Sequence, residues 1–250
     1  MKSVKIQQAV ILAGGGGKRL RPLTDSIPKP MANINGIPFL DYLIYSVVQV
    51  GIKNFLILLG YKSEVITNRY KDMKNITIKF SHGTKEDQTG RRVLNAYDQL
   101  EDHFLLIYGD NYWPIELKAM RFNYKQTNTR VSTTVFSNKN GTSEYGYENN
   151  VEVGSDGMVV KYDKKRETDE MNGVDIGYFI VSKESLDPSL AGNVSFEVDI
   201  LPQFIERKQL GAYITDNQYY YITNMQTLKD FENATLNNKF MPLPQKYFGV

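Results

Sequence analysis

Four consecutive glycines, Gly14 to Gly17, followed closely by Lys18, Arg19, Arg21 and Lys29, form the first group able to do chemistry. Glycines let the backbone turn sharply and bring several N–H groups within reach of one anion. The basic residues behind them differ in kind: Arg19 offers a planar fork for phosphate oxygens and Lys29 a compact point charge. A second group is Gly109-Asp110, reached at the end of the apolar run Phe104 to Tyr108. An Asp at the carboxyl end of a strand faces the crevice where open α/β sheets bind ligands. Mg²⁺ prefers one or two carboxylates together with substrate phosphates, which makes Asp110 the expected metal ligand.

Two familiar phosphate loops are excluded. A Walker loop needs Gly, four residues and then Gly-Lys-Ser/Thr, but Leu12 stands at the first Gly and Arg19 follows Lys18. A dinucleotide fingerprint needs its third Gly where Arg19 sits.

The elements that must position these groups alternate. Ala9 to Ala13 is short and β-branched and reads as a buried strand opening into the glycines. Pro38 to Val50 carries a helical apolar face and stops at Gly51. Asn54 to Leu59, Ile76 to Phe80 and Phe104 to Tyr108 read as strands, with helices over Glu64 to Tyr70 and Arg91 to Leu100. This alternation predicts an α/β fold, a mostly parallel, doubly wound sheet flanked by helices. After about Asn128 the pattern turns to strands at Val131 to Phe136, Val151 to Val153, Met158 to Tyr162 and Val174 to Val181. A helix from Phe196 to Lys208, a strand from Gln218 to Ile222 and a helix from Leu228 to Asn237 follow. No linker or repeat divides the chain, so residues 1–250 are expected to form one domain with a core of about 7–240 and a tail at 241–250.

Composition narrows the function classes. A formal net charge of +2 over 250 residues does not suit a general nucleic-acid binder. Zero cysteines exclude disulfides, thiol nucleophiles and Cys-ligated metals, and two distant histidines, His82 and His103, make a His-rich metal site an unattractive reading. With no apolar run long enough to span a bilayer and no signal peptide in MKSVKIQQ, no membrane association is expected and the expected compartment is the cytoplasm.

The stretch Leu12-Ala13-Gly14-Gly15-Gly16-Gly17-Lys18-Arg19-Leu20-Arg21-Pro22-Leu23-Thr24, continuing to Pro28-Lys29-Pro30, resembles the LAGGxGTRLxPLT…PKP signature of the sugar-phosphate nucleotidyltransferases, or nucleotide-sugar pyrophosphorylases. Lys18 replaces the usual Thr or Ser. The resemblance extends over about residues 7 to 240 and implies a Rossmann-like fold of the nucleotide-diphospho-sugar transferase type with a smaller acceptor-binding β region. It implies that Arg19 holds the departing β,γ-phosphates and Lys29 approaches the α-phosphate, and that Arg19, Lys29 and Asp110 are catalytic. Leu12, Ala13, Gly14 to Gly17, Lys18, Arg19 and Asp110 then bind nucleotide, joined by Gln88, Thr89 and Gly90, because Asp87 to Leu94 is similar to the TGGR stretch of glucose-1-phosphate cytidylyltransferases. Without the resemblance, that stretch reads equally as a helix N-terminus with two solvent-facing arginines, Arg91 and Arg92.

By the same resemblance the acceptor is bound by Tyr145 and Gly146, by Lys165 as the phosphate-binding lysine, by Asp175 in place of an Asn, and by Glu197. Lys164 stands where the family has a glutamate and Arg166 where it has a proline. Asn224 falls at the family's second metal aspartate, which leaves an amide where a carboxylate is usual.

The resulting expectation is an enzyme that joins an NMP from an NTP, CTP or GTP favoured, to a sugar 1-phosphate for surface-polysaccharide biosynthesis, releasing pyrophosphate with Mg²⁺ held by Asp110 and Asn224. The alternatives are the same chemistry on a polyol phosphate, or a nucleotide- or sugar-phosphate-binding subunit with little catalysis. The expected partners are these small molecules, with homo-oligomers possible in the family.

Overall fold

The computed structural model describes residues 4–139, 149–168 and 171–237. In chain order the elements are β1 (Gln8–Leu12), the short hairpin β2 (Asn33–Ile34) and β3 (Ile37–Pro38), α1 (Phe39–Gln49), β4 (Asn54–Leu59), α2 (Ser63–Tyr70), β5 (Thr77–His82) and α3 (Thr89–Asn95). They continue with β6 (His103–Tyr108), β7 (Asn111–Tyr112), α4 (Leu117–Thr127), β8 (Val131–Phe136), β9 (Val151–Val153), β10 (Val159–Tyr162) and β11 (Val174–Ser182). The last are α5 (Leu201–Glu206), β12 (Leu210–Thr215), β13 (Tyr220–Tyr221) and α6 (Met225–Asn237).

Seven strands form one sheet in the order β12-β8-β11-β6-β1-β4-β5. β1 lies parallel between β4 and β6, and β5 parallel beside β4. β11 runs antiparallel to both β6 and β8, while β12 is parallel to β8. The sheet is therefore mostly parallel with one reversed strand. Helices cover both faces, as continuous apolar strands require. Residues of opposite parity in β1 show it: Ala9 and Ile11 join the core under α1, α2 and α6, whereas Val10 and Leu12 join the core under α3 and α5.

Two small antiparallel sheets finish the site end. β9 pairs with β10, and β13 pairs with β7 so that Tyr221 lies opposite Asn111. The backbone N–H of Ile222 donates to the carbonyl of Asp110 at 3.0 Å, fastening the segment before α6 beside that aspartate.

Several elements differ from the sequence reading. Helix α4 and strand β12 were not anticipated. α4 buries a sparse stripe of Leu117, Met120 and Tyr124, and β12 opens on Leu210-Gly211-Ala212, where the apolar pattern is thin. The expected helix from Phe196 is a wide π turn over Phe196–Ile200 that passes into α5. Pro202 sits in the first turn of α5 and has no N–H with which to continue an α-helical ladder from the preceding turn. The expected helix from Arg91 to Leu100 ends at Asn95, and a 3₁₀ turn covers Tyr97–Gln99.

Candidate active site

Strands β1, β4 and β6 deliver their carboxyl ends to one edge of the sheet, and a cavity of about 510 Å³ opens there. Leu12, Ala13, Gly14, Gly15, Gly17, Lys18, Arg19, Lys29, Gln88, Thr89 and Asp110 line it. The expected nucleotide and catalytic residues are thus brought together from four separate stretches of chain, with two exceptions. Gly16 is not part of the lining. Gly90 lies at a packing seam: a Cβ there would stand 2.9 Å from the carbonyl of Val194 and 3.0 Å from the amide of Phe196.

The glycines are needed for different reasons. Gly17 adopts a left-handed φ of 55° and starts the 3₁₀ turn Lys18–Leu20, which buries Leu20 and leaves Lys18 and Arg19 exposed. A Cβ on Gly15 would meet nothing within 4 Å, so it faces the open space of the cavity. At Gly109 a Cβ would stand 2.5 Å from the carbonyl of Leu12, so β6 and β1 can draw this close only with glycine.

Gly14 reveals a residue whose role the sequence did not show. Arg92, on α3, is 5% exposed, and its Nη2 donates to the carbonyls of Gly14 at 3.1 Å and Thr84 at 2.7 Å, while Nη1 donates to Leu59 at 2.6 Å. One buried guanidinium therefore ties the glycine loop, the end of β4 and the loop before α3. A Cβ on Gly14 would lie 2.2 Å from its Nη1, and one on Gly60 2.4 Å away. Burial lowers the Arg92 pKa, with the Asp87 carboxylate opposing the shift. Arg91 likewise reaches inward, donating to the carbonyls of Gly192 and Leu190. The reading of two solvent-facing arginines is corrected: both donate to backbone carbonyls of other segments. Gln88 is similarly engaged, its amide group donating to the carbonyl of Asn193 at 3.0 Å.

Asp110 receives the ammonium of Lys29 on Oδ2 at 2.6 Å, with the lysine side chain only 13% exposed. Lys29 is held by the 3₁₀ turn Lys29–Met31, which buries Pro30 and Met31 and leaves the ammonium facing the cavity.

A second cavity of about 470 Å³ adjoins the first and is lined by Asn111, Asn150, Tyr162, Lys164, Arg166, Asp175, Glu197, Tyr219, Tyr221 and Asn224, among others. Arg19, Tyr108, Asp110, Lys164, Glu197 and Thr223 line both cavities and so mark their junction. Asp175 sits at an irregularity in the β8–β11 pairing and accepts from Thr133 Oγ1 at 2.7 Å, Tyr162 OH at 3.0 Å and the Gly177 amide at 3.1 Å. Burial pushes its carboxyl up to about 6 against those bonds. Burial also acts to raise the pKa of Glu197, but the Lys164 ammonium and the Thr89 hydroxyl outweigh it and hold the carboxylate below its ordinary value. Glu197 Oε1 accepts from Lys164 at 2.9 Å, and Oε2 accepts from Thr89 at 2.7 Å and Ser195 at 2.9 Å. Thr89 thus reaches Glu197, linking the two cavities.

The expected acceptor lysine is displaced. Lys165 is exposed and lines neither cavity, whereas its neighbour Lys164 lines both. The reason is local: Asp163 accepts the backbone N–H groups of Lys165, Arg166, Glu167 and Thr168, which knots the chain after β10. Tyr145 and Gly146 lie outside the described residues. Trp113 is fully buried against Tyr178 and Tyr213 and does not line the crevice. His82 is exposed at the end of β5, and His103 packs against Tyr124.

Asn224 borders the second cavity but has structural work. Its Oδ1 accepts the Thr227 N–H at 3.0 Å, and Thr227 Oγ1 accepts the Asn224 N–H at 3.1 Å, a reciprocal cap at the start of α6. Among the described residues no group of three or more His, Cys, Asp or Glu side chains is placed to hold a metal.

A family profile described as Nucleotidyl transferase matches residues 8–235. The chain belongs to this nucleotidyl transferase family. It is similar to D-glycero-alpha-D-manno-heptose 1-phosphate guanylyltransferase of Campylobacter jejuni, 28% identical over 92% of this chain and 100% of that protein. It is also similar to a probable glucose-1-phosphate cytidylyltransferase of Bacillus subtilis, 31% identical over 89% of this chain and 92% of that protein. Among solved structures, HddC from Yersinia pseudotuberculosis complexed with GMP-PN superimposes with a TM-score of 0.73 at 25% identity, over 90% of this chain and 97% of that one. Among the described residues, no helix is long and apolar enough to cross a membrane.

Proposed function

We propose that the chain transfers the NMP portion of an NTP, GTP or CTP, to a sugar 1-phosphate and releases pyrophosphate. The observation that carries this reading is the shared wall of the two cavities: a nucleotide-sized space behind the glycine loop and a polar, carboxylate-lined space meet at Arg19, Asp110 and Glu197. An oxygen of the acceptor phosphate attacks the α-phosphorus in line. A new P–O bond forms, the bond from the α-phosphorus to the bridging oxygen breaks, and pyrophosphate leaves with the electron pair. Backbone amides of the glycine loop and Arg19 bind the departing phosphates, and Lys29 approaches the α-phosphate, so rate enhancement comes from positioning and charge neutralisation. Asp175 and Glu197 accept hydrogen bonds from acceptor hydroxyls. The guanylyl- and cytidylyltransferase relatives support the choice of bases, and an NTP substrate is in keeping with a cytoplasmic reaction.

The donor set suits Mg²⁺ only in part. Asp110 supplies one carboxylate with a single oxygen taken by Lys29, and Asn224 supplies an uncharged oxygen already used as a cap. Such a site fits a hard cation that also takes phosphate oxygens from the nucleotide. Bound there, the ion would neutralise charge on the reacting phosphates.

Pyrophosphate release from each of CTP, GTP, UTP and dTTP with Mg²⁺, with and without pooled sugar 1-phosphates and pooled polyol phosphates, tests the reading. Release that requires one NTP and the sugar pool is the expected result. A requirement for the polyol pool moves the acceptor class, and silence despite nucleotide binding refutes the transferase in favour of a binding subunit.

A further inference from the structure

The run Lys164-Lys165-Arg166 places three cations in succession where the acceptor cavity begins. The fold does not treat them alike. Both oxygens of Asp163 are committed to the turn that follows it, Oδ2 also accepting the Thr168 hydroxyl at 2.8 Å, and Arg166 adopts a left-handed φ of 60°. This fixed turn presents Lys164 and Arg166 to the acceptor cavity and leaves the residue between them outside its lining.

Lys164 goes further, since it also lines the nucleotide cavity. Among the described residues, the cations common to both cavities are Arg19 and Lys164, and they come from separate stretches of chain: Arg19 from the turn that closes the glycine loop, Lys164 from the turn that follows β10. An anionic phosphate attacking a polyanionic one meets repulsion, and a cation held at the meeting point offsets it most effectively. The Lys164 ammonium is held there. Its partner Glu197 is 6% exposed and fixed by two hydroxyls, yet the lysine side chain itself is 49% exposed. An ammonium has three N–H donors, so one bond to Glu197 leaves others for phosphate oxygens.

We propose that Lys164 is a catalytic residue that binds the attacking acceptor phosphate at the junction of the cavities, with Glu197 as the positioning residue that fixes its ammonium. This inference rests on the transfer reaction proposed above. It also reassigns the acceptor-phosphate contact from the residue that sequence register selects to its neighbour.

Steady-state kinetics with the NTP and acceptor pool that support release provide the first test. Lys164→Met is expected to lower kcat/KM for the acceptor by about 100-fold, with the KM for NTP moving far less. Lys164→Arg restores part of the loss, and Glu197→Gln falls between. The order of two variants decides the matter: a larger acceptor loss in Lys165→Met than in Lys164→Met overturns the proposal, as does equal loss for NTP and acceptor in Lys164→Met. A second measurement does not depend on turnover. Reductive methylation of the full chain, read by fragment masses with and without inorganic phosphate, is expected to show Lys164 protected and Lys165 modified. Protection of Lys165 instead, or of neither, refutes the assignment. Absent release in the unaltered protein would refute the transfer reaction separately, with the methylation pattern still deciding the phosphate contact.

Discussion

The cavity at the glycine loop is walled in part by Gly14, Gly15 and Gly17, whose backbone Arg92 ties to the rest of the sheet end. Across the junction, the acceptor cavity presents side chains: Asp175, Glu197, Tyr162 and Lys164. A backbone cradle tolerates change at most positions but demands glycine where a Cβ would collide. A side-chain cradle changes its chemistry with each substitution. The two cavities are therefore under different physical constraints: the side-chain cavity can change its ligands by substitution while the glycine-loop cavity keeps its geometry.

The comparison can be broken most severely at the junction. Asp110→Asn is expected to lower kcat by on the order of 10³-fold, because the carboxylate that would hold the charge-neutralising cation and that fixes the Lys29 ammonium is lost. Asn224→Ala is expected to lower it by less than about tenfold, since an amide brings no charge to a cation. Comparable losses would mean that the two positions act as an equal pair.

Next in size is the clamp behind the loop. Arg92→Met leaves three carbonyls without this donor and is expected to destabilise the fold by roughly 3 kcal/mol. The KM for NTP rises while acceptor KM moves little, and nucleotide titration of the folded variant checks the split. Gly14→Ala is expected to produce the same split, because its Cβ would stand 2.2 Å from the guanidinium. An unaltered nucleotide affinity in both variants would show that the amides need no support.

On the acceptor side the expected effect is a pH profile. Asp175, with its carboxyl pushed up to about 6, is ionised above that pH and loses its strength as a hydroxyl acceptor below it. The acceptor kcat/KM therefore falls as pH drops through about 6, and Asp175→Asn flattens that limb. For stability the sign is opposite. The folded carboxyl keeps its proton to higher pH than the unfolded one, so its contribution is fully present at low pH and is lost as pH rises through about 6. Thermal melts of the two proteins should diverge in that window.

The smallest effect is at the helix cap. Asn224→Ala loses a side-chain acceptor worth about 1 kcal/mol, or roughly 2–4 °C in melting temperature. Asn224→Asp keeps the cap and adds charge beside Asp110, so it should tighten Mg²⁺ binding measured by titration in the presence of nucleotide.

The same contrast explains what could be read before the structure was known. Glycine runs and buried strands are local signals, so β1, β4, β6, the loop and Gly109-Asp110 were legible, and so was the α/β class. Arg92 looked like any arginine near a helix start, because its three carbonyl partners come from Gly14, Leu59 and Thr84, which are brought together only by folding. Lys164 and Lys165 are the same residue type in adjacent positions. What separates them is the turn closed by Asp163, and no periodicity reports which way such a turn faces. α4 and β12 went unseen because each packs on the other at the rim of the sheet, where apolar demand is low. Asn224 was legible as a lost carboxylate but not as a cap, since its reciprocal bonds with Thr227 exist only once the helix start has formed.

The bond from the Ile222 amide to the Asp110 carbonyl has a consequence for how the protein comes into being. On the ribosome the glycine loop, Arg92 and Asp110 emerge well before Thr223 and Asn224, which complete the cavities from near the end of the fold. Vectorial synthesis thus makes the glycine-loop wall of the first cavity early and the Thr223–Asn224 wall late. A chain interrupted after β6 would carry the glycine loop without the second cavity, and quality control would meet it as an open sheet edge where β11 should pair with β6.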